Sequence, residues 1–341
     1  MKSYCSLIKL LLPFALVFSA CACSSESAIQ QVFEDSGQAP VFLDCRAVSS
    51  TEIAFTFSHP VKVSFVRFAP PLELVSIEEG ETVTVKTAQP LEGGEKFTAD
   101  ILVEDEKRNT LNVLTPFRAR NDRIPKILIN ELRTEAASKS DARARVEFVE
   151  LYTLSEGNLA ALQLFIAGDN ITKPVLEFPS IEVSRGEYIV VHLRTREEGS
   201  VDETGQDLSL SNGMDTLPDA RDIWVADDKK RLNKNALVYL MDQDGSIIDG
   251  VAITDKSEND TWGKPAQEAA AALFGNQGVW RSASGGTTPP GPNDAVNCGP
   301  IKTSTTKSIS RRNFEDTNTA QDWYLTAQGK ATPGEANQGE I

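Results

Sequence analysis

The sequence is short of the side chains on which most enzyme chemistry depends. Its 341 residues include two histidines, five cysteines and three methionines. His59 and His192 leave little material for a histidine-based metal centre or catalytic triad. No Gly-x-Ser-x-Gly, His-Glu-x-x-His, phosphate-binding loop or Gly-x-Gly-x-x-Gly is present. Positive charge is also scarce, with 34 Lys and Arg against 49 Asp and Glu, a net charge of -15. Such a chain is a poor general binder of nucleic acid, and anionic lipid surfaces repel it. With 40% hydrophobic and 24% charged residues it is neither a disordered polymer nor a multi-span membrane protein. What it does have is 22 Gly and 17 Pro, enough to punctuate many short strands, and length for two or three domains.

The apolar run Leu10–Ala20 follows Lys2 and Lys9 and is too short to span a bilayer, which takes about 20 residues. It fits the core of an export signal. It ends Phe18-Ser19-Ala20-Cys21, which resembles the lipobox of bacterial lipoproteins. The resemblance implies cleavage before Cys21, lipid (palmitate) on Cys21 and a place in the bacterial cell envelope, with Cys23 as a second option. Removing residues 1–20 takes away Lys2 and Lys9, so the remaining charge is 32 minus 49, or -17. Export permits disulfides, and two arrangements stay open for Cys45 and Cys298: a pair, or two buried thiols. Residues 21–39 read as a flexible tether.

Residues 40–123 alternate with period two, as in Ile53, Phe55 and Phe57, Val61, Val63 and Phe65, and Phe97, Ala99, Ile101 and Val103. That pattern predicts half-buried strands of a sandwich. The stretches Pro90–Phe97, Val103–Leu111 and Phe117–Ala119 resemble bacterial Ig-like domains. Family members have Gly where Arg108 stands, so the turn Asp105–Asn109 is expected to differ in shape.

From Lys126 onward the motifs change. Asn130-Glu131, Glu147-Phe148-Val149-Glu150-Leu151, Asp244-Gly245 with Asp249, and Thr332-Pro333-Gly334-Glu335-Ala336-Asn337 occur in that order. Together they resemble the lamin tail domain, a compact Ig-like β-sandwich, over residues 124–341. That length leaves two inserts, at about 195–235 and 254–307. The second contains Pro265–Gly275, a helix predicted to bury Ala266, Ala269, Ala270, Leu273 and Phe274 and to cover one open end of the sandwich. The fold class is therefore all-β: two β-sandwich domains, the second with inserts that include one short helix.

Candidate chemistry is sparse. Glu131, Glu147 and Glu150 would hold a hard cation only if six to eight oxygens converged; otherwise they face solvent or accept backbone hydrogen bonds. Asp242-Gln243-Asp244-Gly245 reads as a hairpin turn. Lys302, Lys307, Arg311 and Arg312 form a basic strip, a possible anion or nucleic-acid contact or else a solvated strand edge. The expected function is a non-enzymatic, lipid-anchored binding or structural module. No catalytic residue, metal or cofactor is expected. The partners are the membrane, through the lipid, and an unidentified protein or glycan, with nucleic acid disfavoured. The alternatives are a metal-dependent hydrolase built from the Asp residues of 202–228, or a weak nucleic-acid binder through 302–312.

Overall fold

A computed structural model describes residues 39–138, 144–168 and 173–340. The expected tether and the expected lipobox at Cys21 fall outside the described residues.

The first domain is built on one long strand. β1 (Phe42–Ala47) pairs with the first half of β2 (Glu52–Ala69), as does β4 (Gly80–Thr87), which also carries the edge strand β3 (Leu74–Glu78). The second half of β2 pairs instead with β5 (Lys96–Glu104), which pairs with β6 (Thr110–Arg118). β2 therefore crosses from one sheet to the other near Ser58-His59-Pro60, where sequence alone suggests two strands. A proline is tolerated there because the ladder changes partner. The alternation expected through Val61, Val63 and Phe65 breaks at a bulge between Val63 and Phe65. One extra residue inverts the face that every later side chain occupies. Phe65 accordingly leaves the core and lies under the Arg67 guanidinium, while Phe68 enters and packs on Phe55 and Phe117.

The Asp105–Asn109 turn keeps the shape that a glycine would give. Arg108 itself takes a left-handed conformation, φ 66°. The Asp105 carboxylate accepts hydrogen bonds from the Lys107 and Asn109 backbone N–H groups, both at 2.8 Å. These bonds oppose the strain of a side chain at positive φ.

The second domain stacks two sheets. One runs β14 (Arg221–Trp224), β13 (Tyr188–His192), β8 (Phe148–Thr153), β7 (Ile127–Arg133), β18 (Ile309–Arg311) and β19 (Trp323–Leu325). The other runs β11 (Leu176–Glu177), β10 (Gln163–Ala167), β15 (Ala236–Met241), β16 (Ile247–Thr254) and β17 (Val296–Asn297). A two-stranded ladder joins β9 (Gly157–Asn158) to β12 (Glu182–Val183). The inserts thus extend the sheets. The first supplies β14, parallel to β13, and the second supplies β17, parallel to β16.

The helix α1 (Pro265–Gln277) ends at Gly278, φ 70°, and not at Gly275. It buries Gln267, Ala270, Ala271, Phe274 and Gly275. Ala266 is half-buried and Ala269 exposed. An alanine-rich helix has little amphipathicity of its own, so its larger side chains choose the face. Phe274 meets Tyr239 edge-on at 5.7 Å and lies where a Cβ on Gly250 would be, 2.7 Å away. The helix therefore covers the outer face of β15 and β16, not an open end of the sandwich. This also explains why β15 is apolar on both faces.

Candidate functional site

The motif residues of the second domain meet at one place. Glu131 on β7 stands directly opposite Glu150 on β8, and both are fully buried. Glu131 accepts from the Thr332 N–H at 3.0 Å and the Ser310 hydroxyl at 3.2 Å. Glu150 accepts from the Gly334 N–H at 2.5 Å and from Asn130 Nδ2 at 2.7 Å. Asn337 Nδ2 in turn donates to the Asn130 and Arg311 carbonyls, at 3.2 and 2.9 Å. Burial drives both glutamates above the ordinary carboxyl range, and for Glu150 the facing Glu131 adds to the effect. The carboxyls therefore neither face solvent nor gather around a cation. They clasp the segment Thr332–Asn337 onto the sheet. Glu147 is engaged elsewhere, in a two-pronged ion pair with Arg194 whose Nε–Oε2 arm is 2.5 Å.

Arg311, predicted as part of an exposed basic strip, is 1% exposed. It donates from Nη2 to the buried Asp249 at 3.0 and 3.2 Å, from Nε to the Ile129 carbonyl at 2.9 Å, and lies over the Trp323 ring. Arg312 is tied to Glu340 and lies over Tyr324. Lys302 is exposed and Lys307 half-buried. The strip expected as an anion or nucleic-acid contact is therefore not a continuous surface: β18 turns Arg311 inward, where its charge is consumed by a carboxylate.

The acids of the first insert do not converge either. Asp215 pairs with Arg133 and Arg145, Asp222 with His192, and Asp228 with Arg194 and Arg196. Glu203 accepts from the Asp222 and Ser211 N–H groups. Among the described residues there is no cluster of three or more His, Cys, Asp or Glu placed to hold a metal ion. His192 is buried, stacked on Trp224 at 3.8 Å and 2.7 Å from Asp222 Oδ1, so it is a core side chain.

Cys45 and Cys298 are free thiols, which corrects the possible disulfide. They belong to different cores. Cys45 sits on β1 of the first domain, whereas Cys298 is sealed in the second, donating to the Lys234 carbonyl at 3.2 Å. Burial pushes both thiols up to about 12, so neither is a nucleophile at neutral pH. Reduction with dithiothreitol is expected to leave the thermal midpoint unchanged. A disulfide contributes about 2–4 kcal/mol, so a fall of several degrees on reduction would show that one had formed.

The two domains are fixed to each other by short-range polar contacts. The buried Asn121 donates through Nδ2 to the Asn158 and Ala160 carbonyls at 2.7 and 2.9 Å. Arg118 pairs with Glu177, Arg120 with Asp244 at 2.7 Å, and Arg123 with Glu182 at 2.8 Å. Gly93 and Gly94 allow the close approach: a Cβ on Gly93 would lie 2.9 Å from Asn121, and one on Gly94 3.1 Å from Ala160. Beside this seam is a cleft of about 550 Å³ walled by Asp44, Arg46, Gln163 and Gln243 together with the Arg118 and Arg120 pairs. Its charges are largely matched, which suits a polar ligand or an extended peptide held by amides. The junction could not be read from the sequence, although Asn121 between Arg120 and Arg123 marks a polar knot at the predicted domain boundary.

The family model TP_1001_2nd, described as a protein second domain, matches residues 125–325. An uncharacterized protein of Treponema pallidum (strain Nichols) is 26% identical over 245 residues, covering 68% of this chain and 61% of the relative. The chain thus spans about three-fifths of the length of that curated relative. Among solved structures, the N-terminal part of the bacterial S-layer protein SbsC is 17% identical with a TM-score of 0.26, covering 44% of this chain and 40% of that one. A DUF4876 family protein from Bacteroides thetaiotaomicron VPI-5482 is 9% identical with a TM-score of 0.27, covering 89% and 95%.

Proposed function

We propose, for a chain that belongs to the TP_1001 second-domain family, a non-catalytic role as a lipid-anchored binding module of the bacterial cell envelope. The observation that carries the reading is the junction, where the buried Asn121 and three Arg–carboxylate pairs bridge the two sandwiches. Lipid at Cys21 and the tether hold that unit at a membrane. The first domain serves as a stalk, and the second, a lamin-tail-like sandwich, presents loops to a protein or glycan. The lamin-tail reading is supported by its ordered motifs, since Asn130, Glu131, Glu150, Thr332, Gly334 and Asn337 all join in one clasp. The non-catalytic reading is supported by the buried ionisable groups, which are spent on internal hydrogen bonds and ion pairs.

The anchor is tested by metabolic labelling with radioactive palmitate. The wild-type chain is expected to incorporate label and Cys21→Ala to lose it. Label that persists in Cys21→Ala and disappears in Cys23→Ala would move the anchor to Cys23. A wild-type chain without label would overturn the lipoprotein reading.

A further inference from the structure

The first domain carries an open sheet edge at β3. Among the described residues this strand pairs with β4 alone. The direction of its backbone groups follows from the ladder. The Thr87 N–H donates to the Thr51 carbonyl, so Thr87 faces β2. Successive residues of a strand turn their N–H and C=O groups to opposite sides. Lys86 and Thr84 therefore face β3, where they meet Ser76 and Glu78. Ile77, between those two, turns its N–H and C=O outward with no strand to receive them. Such an edge is a template for one further strand. Its side chains fit that role, since Val75 is 65% and Ile77 39% exposed and both are β-branched.

The start of the strand opens into a groove of about 380 Å³. Leu72, Leu91 and Phe97 give it apolar walls, and the exposed Glu73, Glu92 and Glu95 stand around it. No Lys or Arg lines it. Among the described residues these three glutamates make no ion pair. Residues 70–95 hold six glutamates and a single base, Lys86, which is already paired with Glu52 at 3.0 Å. An apolar wall with carboxylates at its mouth suits a long cationic side chain, whose stem lies on the wall while its head reaches the carboxylates. The same charges bar a second copy of this chain, because pairing β3 with β3 would set acid against acid. They also repel an anionic lipid surface. Charge complementarity therefore selects a basic strand.

We infer that the edge of β3 and this groove together hold an extended basic segment of a partner protein, which adds a strand beside β3 and seats a lysine or arginine among Glu73, Glu92 and Glu95. The inference goes beyond the proposed role, in which the first domain is a stalk, by giving that domain a binding surface of its own. Its test reads peptide binding alone, so it can fail while Cys21 is labelled, and the reverse.

The detergent-purified full chain is titrated into the fluorescein-labelled peptide Lys-Thr-Val-Thr-Val-Thr-Lys, and binding is read by fluorescence anisotropy. One control peptide carries glutamate in place of both lysines, the other proline in place of both valines. The lysine peptide is expected to bind about tenfold or more tighter than either control. Ile77→Pro removes an outward N–H while sparing the ladder to β4, and should weaken the lysine peptide about tenfold. Glu92→Gln and Glu95→Gln, at exposed positions, should each weaken it about threefold. Thermal melting checks the folding of every variant. If Ile77→Pro fails to fold, the proline peptide tests the same edge. Equal binding of the lysine peptide and either control would overturn the inference. So would binding that Ile77→Pro or both glutamine changes leave untouched, or no binding at about 1 mM peptide. A concentration-dependent dimer in sedimentation that Ile77→Pro abolishes would assign the edge to a second copy and likewise overturn it.

Discussion

Arg311→Ala should cost about 3–5 kcal/mol of unfolding free energy, the usual loss when one partner of a buried ion pair is removed. The change strips Asp249 of its two guanidinium contacts and leaves the Ile129 carbonyl without its Nε donor. It also removes the cation packed on Trp323. Asp249 keeps the Ile129 N–H at 2.6 Å and the Gly250 N–H at 2.8 Å, too little to hold a buried charge. Burial already pushes Asp249 up to about 6, against the pull of Arg311. A carboxyl raised above its ordinary 3.8 favours the folded state when protonated, so its contribution falls as pH rises from about 3.8 through 6. The Arg311→Ala deficit should therefore be smaller at pH 5 than at pH 8. Urea unfolding at both values measures it. Combined with Asp249→Asn, the loss should fall short of the sum of the single changes by about 1 kcal/mol or more. A single-variant loss below about 1 kcal/mol would contradict the buried pair.

The Glu131–Glu150 clasp predicts a pH dependence opposite to that of an ordinary surface carboxylate. Both groups titrate higher in the fold than their unperturbed value of 4.5. The folded state then binds more protons than the unfolded state, and stability falls as pH rises above about 4.5. Other carboxyls, such as Asp105 and Glu182, are lowered by their hydrogen bonds and give the reverse slope. The difference between wild type and Glu150→Gln isolates the clasp. Glutamine imitates the protonated acid, so Glu150→Gln should gain about 1 kcal/mol or more on wild type between pH 5 and pH 8. Glu150→Ala should instead lose about 3 kcal/mol at pH 5, because the Gly334 N–H and Asn130 Nδ2 lose their acceptor inside the sheet, and the loss should shrink toward pH 8 by about what Glu150→Gln gains, since both changes remove the same titrating group. A Glu150→Gln curve parallel to wild type would mean that the pair is charged as in water.

The strand-rich architecture was legible because period-two alternation reports a sheet with one face in water. β5 and β6 show it plainly. The Ser64 bulge was not legible, since a single polar residue carries no mark of being unpaired. β14 and β17 were missed because four and two residues are too few for a period to register. The clasp was half legible. Its residues stand out as an ordered set, and of the two readings open for the carboxylates, solvent or backbone hydrogen bonds, the second is the one found, although a charge is rarely buried. The contrary signal is Ile127-Leu128-Ile129 running straight into Asn130-Glu131-Leu132 without alternation, the mark of a strand covered on both faces. Arg311 was misread for the same reason. The seam at Asn121 depends on two carbonyls some forty residues away, and no local pattern encodes such a pairing.

The clasp also bears on the order of synthesis. Thr332–Asn337 is made after all the strands it fastens, and Asn130 waits about 200 residues for Asn337. Until that segment emerges, Glu131 and Glu150 lack the Thr332 and Gly334 N–H donors and Asn130 lacks Asn337, in the middle of a six-stranded sheet. Contacts this distant in sequence form late, because the intervening loop must close first. A nascent chain is thereby kept from completing its second domain until Thr332–Asn337 has been made.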